Sequence, residues 1–222
     1  MERHIDEDLG NFNTDLLKMA ALTEIAIHKS IEALKNQDKN IALSVIQDDQ
    51  VIDDYENKLE EEAILLFALH QPMAKDLRLI TAGMRISTDL ERIADLTVNI
   101  SQRVLDIADK PSLSSLDDMV KLAANAKQMV KGAIDAFVKK DPEAAKNVIL
   151  SDKESNHLRN LIMADLVENH IKKNPAVVNQ AVALLLVARD LERISDHATN
   201  IAEDVIYLIR AKIVKHHLDE LL

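Results

Sequence analysis

One twelve-residue pattern, Asp-Leu-Glu-Arg-Ile-x-Asp-x-x-x-Asn-Ile, occurs twice in the chain, at residues 89–100 and 190–201, each shared residue lying 101 positions from its twin. Read at about 100° per residue, Ile86, Leu90, Ile93, Thr97, Ile100 and Val104 fall in one narrow stripe, as do Val187, Leu191, Ile194, Ala198, Ile201 and Val205. Each copy predicts an amphipathic helix that must bury its stripe. Residues four apart share a helix face, so Glu91, Asp95 and Asn99 stack in a column on the other side, and Glu192, Asp196 and Asn200 do the same. Like charges at this spacing repel by about 0.2–0.5 kcal/mol in an isolated helix. Placing them there twice calls for compensation, and a cation is the simplest.

The repeat reaches further. Val45-Ile46 with Asp49 and Asp53 matches Val148-Ile149 with Asp152 and Asn156 at an offset of 103. Whole halves are duplicated, and residues 1–110 and 111–222 each form a unit large enough to bury a core. With 47% hydrophobic residues, 2% aromatic, three Gly and four Pro, the composition is that of long helices. The spacing predicts one helix from near Leu9–Asp15 to about Lys35, a second from Ile41 to Leu69 or His70, and a third from about Met73 to Ile107. A fourth, capped by Ser114 or Ser115, runs to about Lys139, a fifth from Pro142 to Lys172, and a sixth from Pro175 to about Val214. Pro72, Pro142 and Pro175 suit first turns. The expected fold is all-α: two tandem three-helix bundles.

The net charge of -11 and the lack of any basic run exclude nucleic-acid binding of the usual kind, which rests on neutralising phosphates. No Cys is present, which removes disulfides and thiolate metal sites. The acidic start is unlike a signal peptide, and no stretch approaches the ~20 apolar residues of a membrane span. A cytoplasmic protein, at most peripheral to a membrane, is expected.

Carboxylates and carboxamides select hard or borderline cations such as Mg, Ca, Mn, Fe or Zn. We expect one polynuclear site per bundle: Asp49 and Asp53 facing Glu91, Asp95 and Asn99 in the first, Asp152 and Asn156 facing Glu192, Asp196 and Asn200 in the second. The first is the more acidic, because its Glu56 and Glu60 correspond to Arg159 and Met163. The plainer alternative is a solvated acidic face, with Arg92 and Arg193 neutralising their neighbours and Asp89, Arg85 and Arg92 forming an ordinary surface network. His28, His157, His170 and His197 are scattered and read as surface or packing residues. No Glu has His three positions on, as di-metal oxidases of the ferritin type require, and three Gly provide no phosphate loop. An enzyme is not expected.

The two copies, with Gln71-Pro72-Met73-Ala74-Lys75-Asp76-Leu77-Arg78 before the first, resemble the PhoU family of phosphate-uptake regulators over nearly the whole chain. The resemblance implies metal clusters held by the pairs Asp49 with Asp53, Glu91 with Asp95 and Glu192 with Asp196, the ions being of the Fe, Zn, Mn or Mg kind. It implies a regulatory role at the cytoplasmic side of the Pst phosphate ABC transporter, through its ATPase subunit and a phosphate-sensing histidine kinase, damping starvation signalling when phosphate is plentiful. Asn156 departs from the pattern where an acid would complete a fourth pair. Assembly is left open, a homodimer included. A metal-free helical adaptor is the alternative.

Overall fold

A computed structural model describes residues 4–111, 113 and 117–212. Six long helices account for nearly all of them: α1 (His4–Asn36), α2 (Lys39–His70), α3 (Lys75–Ile107), α4 (Asp117–Lys139), α5 (Pro142–Asp165) and α6 (Val178–Arg210). Each set of three packs into a bundle, as the repeat requires, and the most extensive helix pairing in the molecule joins α3 to α6. These two run antiparallel. Arg78 Nε donates to Leu208 O at 3.4 Å, Arg85 lies 3.3 Å from Asp204, and Asn200 Nδ2 donates to Asp89 Oδ1 at 3.2 Å. One continuous core crosses both bundles. Every residue of the two predicted stripes is buried.

The turn after the first helix of each bundle is built twice from the same chemistry. Gln37 and Lys140 sit in the left-handed region at φ 51° and 53°. The next residues, Asp38 and Asp141, donate their amides back to Ala33 O and Ala136 O and cap the following helix with their carboxylates. A side-chain oxygen satisfying two first-turn N–H groups is the reason an Asp stands at both starts.

Five boundaries differ from the periodic reading. α1 begins at His4, because Ile5, Leu9 and Phe12 extend its buried stripe a further two turns. α3 starts at Lys75, since Ala74 takes a positive φ of 46° that a helix cannot include. The fifth helix passes into a π-helical turn at Leu166–Ile171, and a single 3-10 turn at Pro175–Val177 precedes α6. α6 ends at Arg210 with Ala211 left-handed; Val214, and the caps expected at Ser114 or Ser115, lie outside the described residues. Among the described residues no helix is long and apolar enough to cross a membrane.

Gly83 leaves room for α1 against α3, for a Cβ there would overlap the Phe12 ring. Phe12 is fully buried and its ring has nowhere to go. Helix propensity alone favours Ala over Gly by ~1 kcal/mol, but overpacking a tight core costs about 1–3 kcal/mol. Chemical denaturation should show Gly83→Ala to be destabilised, while Gly10→Ala, with nothing within 4 Å, gains stability. Loss of either capping Asp to Ala should cost ~1 kcal/mol, additively in the double variant because the two turns are remote.

Candidate metal centre

The acids of the first bundle come together where α2 faces α3. Asp49 and Asp53 stand one turn apart on α2, and Glu91 and Asp95 one turn apart on α3. Burial, followed by the neighbouring charges of Asp53 and Asp95, pushes the Asp49 carboxyl up to about 6. Burial, then Asp95, pushes Glu91 up to about 7, with Glu56 and Asp53 adding to the rise and Arg92 opposing it. Asp53 is raised by the same combination of burial and Asp95. These are carboxylates crowded against each other.

Among the described residues Arg92 is the one counter-charge in the cluster's ion pairs. Its Nη1 donates to Asp95 Oδ2 at 3.2 Å and its Nε lies 3.3 Å from Glu91 Oε2. More than half of the Arg92 side chain is in solvent, whereas Glu91 is 14% exposed. Glu91 Oε2 is enclosed and accepts no hydrogen bond, so its only charged neighbour among the described ion pairs is the Arg92 guanidinium, which a bound cation would have to displace or join. Asn99, one turn beyond Asp95, is half-buried. Among the described residues no three Asp, Glu or His side chains converge closely enough to hold an ion as they stand. Repelling carboxylates splay, and closure would require side-chain rotation.

The second cluster is arranged differently. Asn156 Nδ2 donates to Asp152 Oδ2 at 2.8 Å, Arg159 Nη2 donates to Asn156 Oδ1 at 3.1 Å, and Arg159 Nη2 lies 3.5 Å from Glu192 Oε1. Asp196, open to solvent at its rim, is pushed up to about 6 by partial burial and then by Glu192 and Asp152. Asp152 is raised by burial, and its Oδ1 accepts no hydrogen bond. Asn200 does not join this group. It reaches across to the first bundle and donates to Asp89.

Asp89 also corrects the surface network expected for it. It pairs with neither Arg85 nor Arg92 but with His197 Nδ1, at 2.8 Å, and with Asn200, which makes His197 a bridge between bundles. Arg85 instead pairs with the buried Asp204 and lies 4.9 Å over the Tyr207 ring. Arg85, Asp89, Asn200 and Asp204 line a cleft of about 420 Å³ with Glu56, Glu60, Ser87 and Thr88. Sequence periodicity missed this junction. The signal was there in reverse, since Arg85 and Asp204 are positions where the halves differ, opposite Leu186 and Arg103.

Glu91 and Asp49 hold their protons more tightly folded than unfolded. Folding therefore takes up protons between roughly pH 4, the ordinary carboxylate value, and pH 7, and stability falls as pH rises through that window. The chelator-treated protein should melt higher at pH 5 than at pH 8, and Glu91→Gln with Asp95→Asn should flatten the dependence. A slope unchanged in that variant would show that the acids do not strain the fold.

The PhoU domain family matches the chain twice, over residues 16–104 and 119–205. A protein of Clostridium acetobutylicum named "Phosphate-specific transport system accessory protein PhoU homolog" is 35% identical, covering 96% of this chain and 98% of its own length. The protein of the same name from Zymomonas mobilis is 34% identical over 93% and 87%. The crystal structure of PhoU from Pseudomonas aeruginosa superimposes with a TM-score of 0.91 at 30% identity, covering 94% of this chain and all of that one. That of the Streptococcus pneumoniae phosphate transport system regulatory protein PhoU, 22% identical, shares the fold with a TM-score of 0.89 over 95% and 99%. Two matched domains, six helices in the same arrangement and relatives aligned almost end to end mean that this chain belongs to the PhoU family.

Proposed function

We propose that the chain is a cytoplasmic negative regulator of phosphate uptake and of phosphate-starvation signalling. It acts as a metal-binding accessory to the ATPase subunit of a Pst phosphate transporter and to its phosphate-sensing histidine kinase, not as an enzyme. The names of its relatives tie them to the phosphate-specific transport system. The observation that carries the metal half of the reading is the first cluster, where Asp49, Asp53, Glu91 and Asp95 crowd together with one exposed arginine.

The donor set fits hard or borderline ions of the Fe, Zn, Mn or Mg kind. Asp49 and Asp53 would hold them from α2, Glu91 and Asp95 from α3, with Asn99 one turn on. A bound ion supplies positive charge to a face that otherwise repels anions. The chain's own residues do the rest: they tie α2 to α3 and set the charge that a transporter subunit or phosphate meets, in a protein whose net charge is -11. Fields of this kind govern encounter rates and partner choice more than fold.

The pairing of Arg92 with both Glu91 and Asp95 favours a second reading, a metal-free helical adaptor whose faces a partner reads directly. Elemental analysis of gently purified protein decides between them. Stoichiometric metal, lost in the Glu91→Gln, Asp95→Asn double variant, is the expected result. Binding to the purified ATPase subunit, followed by interferometry, should weaken on chelation. Metal-free protein that binds the subunit equally well before and after chelation would establish the adaptor.

A further inference from the structure

The two halves of a duplicated chain are each other's control, and among their acidic clusters they part company on the second helix of each bundle. Counting back 103 residues, Asn156 corresponds to Asp53, Arg159 to Glu56 and Met163 to Glu60. In the first bundle those positions are acids. In the second they are a carboxamide, a guanidinium and a thioether, while Asp152, Glu192 and Asp196 keep their counterparts Asp49, Glu91 and Asp95.

We propose that Arg159 is the resident cation of the second cluster: its guanidinium stands where an ion would stand and closes that cluster to metal. It lies between the helices, 3.5 Å from Glu192 of α6, and donates to Asn156 of α5, whose amide donates in turn to Asp152. The orientation of Asn156 is telling. A carboxamide ligand turns its oxygen toward a metal; here the oxygen accepts from Arg159, and the NH2 group is spent on Asp152. Arg159 is 28% exposed and faces Glu192 at 12%, so the pair is screened less than Arg92, at 56%.

The geometry of attachment also differs. Arg92 shares helix α3 with the acids it touches and can leave them without loosening any helix. Arg159 comes from α5 and spans to α6, as a metal ion in the first bundle would span α2 and α3. The second bundle thus carries a permanent clasp where the first has one that depends on an ion. This rests on the metal reading of the first cluster for the contrast, though not for the clasp itself. Metal content per chain is then set by the first half alone.

Two measurements test it on the full chain. Equilibrium dialysis against Mn²⁺ with elemental analysis should find the metal abolished by Glu91→Gln, Asp95→Asn. Adding Arg159→Glu with Asn156→Asp in that background, which copies the first cluster into the second, should restore Mn²⁺ uptake. Metal that survives the first double variant and is removed by Asp152→Asn, Glu192→Gln would overturn the proposal, as would a folded converted chain that takes up no more than its parent. Independently of any metal, Arg159→Met should lower the melting temperature in EDTA by about 2–4 °C, with Arg159→Lys falling less. An unchanged melting temperature refutes the clasp. Wild type that binds no Mn²⁺ while Arg159→Met still melts lower would sink the metal reading of the first cluster and leave the clasp standing.

Discussion

The packing of α3 against α6 organises everything else. Each is 33 residues long, about 50 Å at 1.5 Å per residue, and each buries far more of itself than the helix its acids face: 14 residues of α3 against 6 of the 32 in α2, and 17 of α6 against 6 of the 24 in α5. A helix in the middle of its own bundle and against the other bundle must be apolar on a wide arc. What remains of its circumference is narrow, and the acids must share it. That is why Glu91 and Asp95 cannot turn fully to water, and why burial, more than any neighbouring charge, pushes Glu91 and Asp49 upward.

The same packing converts polar residues that look superficial into a junction. Asp89 lies at the edge of the α3 stripe and would be an ordinary solvated acid on a lone bundle. With α6 laid antiparallel, His197 and Asn200 arrive opposite it, and Asp204 arrives opposite Arg85. Burying a charge is tolerable only with partners in place, and Asp204, 2% exposed, has such a partner in Arg85.

How much of this could be read from residues depends on range. The stripes, the Asp-headed turns and the bundle count follow from spacings of three, four and about one hundred, and all of these are present in the chain itself. The column Glu91, Asp95, Asn99 was equally legible. Its twin was not: Asn200 occupies the same register as Asn99 yet serves Asp89 of the other half, because the interface between halves has no periodicity to betray it. The π-helical turn at Leu166–Ile171 escaped for another reason. A wide turn shifts the helix face without any breaker residue, and Pro175 marks only where the next helix starts.

The divergence of the halves follows one direction at more than one layer. In the second bundle a buried chain of hydrogen bonds runs from Asn125 to Ser155 at 2.8 Å and on to Ser195 at 2.7 Å, linking α4, α5 and α6. The corresponding residues of the first bundle are Leu22, Ile52 and Ala94, which fill space without naming partners. Satisfied buried networks rigidify and specify a single arrangement; apolar layers tolerate sliding more readily. Helix α2 exposes Leu43, Val51, Ile64, Leu65 and Leu69 and has few buried residues to fix it. Local opening is easiest where buried apolar contacts are fewest. Among the described residues, ion pairs tie α2 to α1, Lys29 with Asp48 and Lys58 with Asp15, whereas none joins Asp49 or Asp53 of α2 to α3, the kind of crossing that Arg159 makes between α5 and α6.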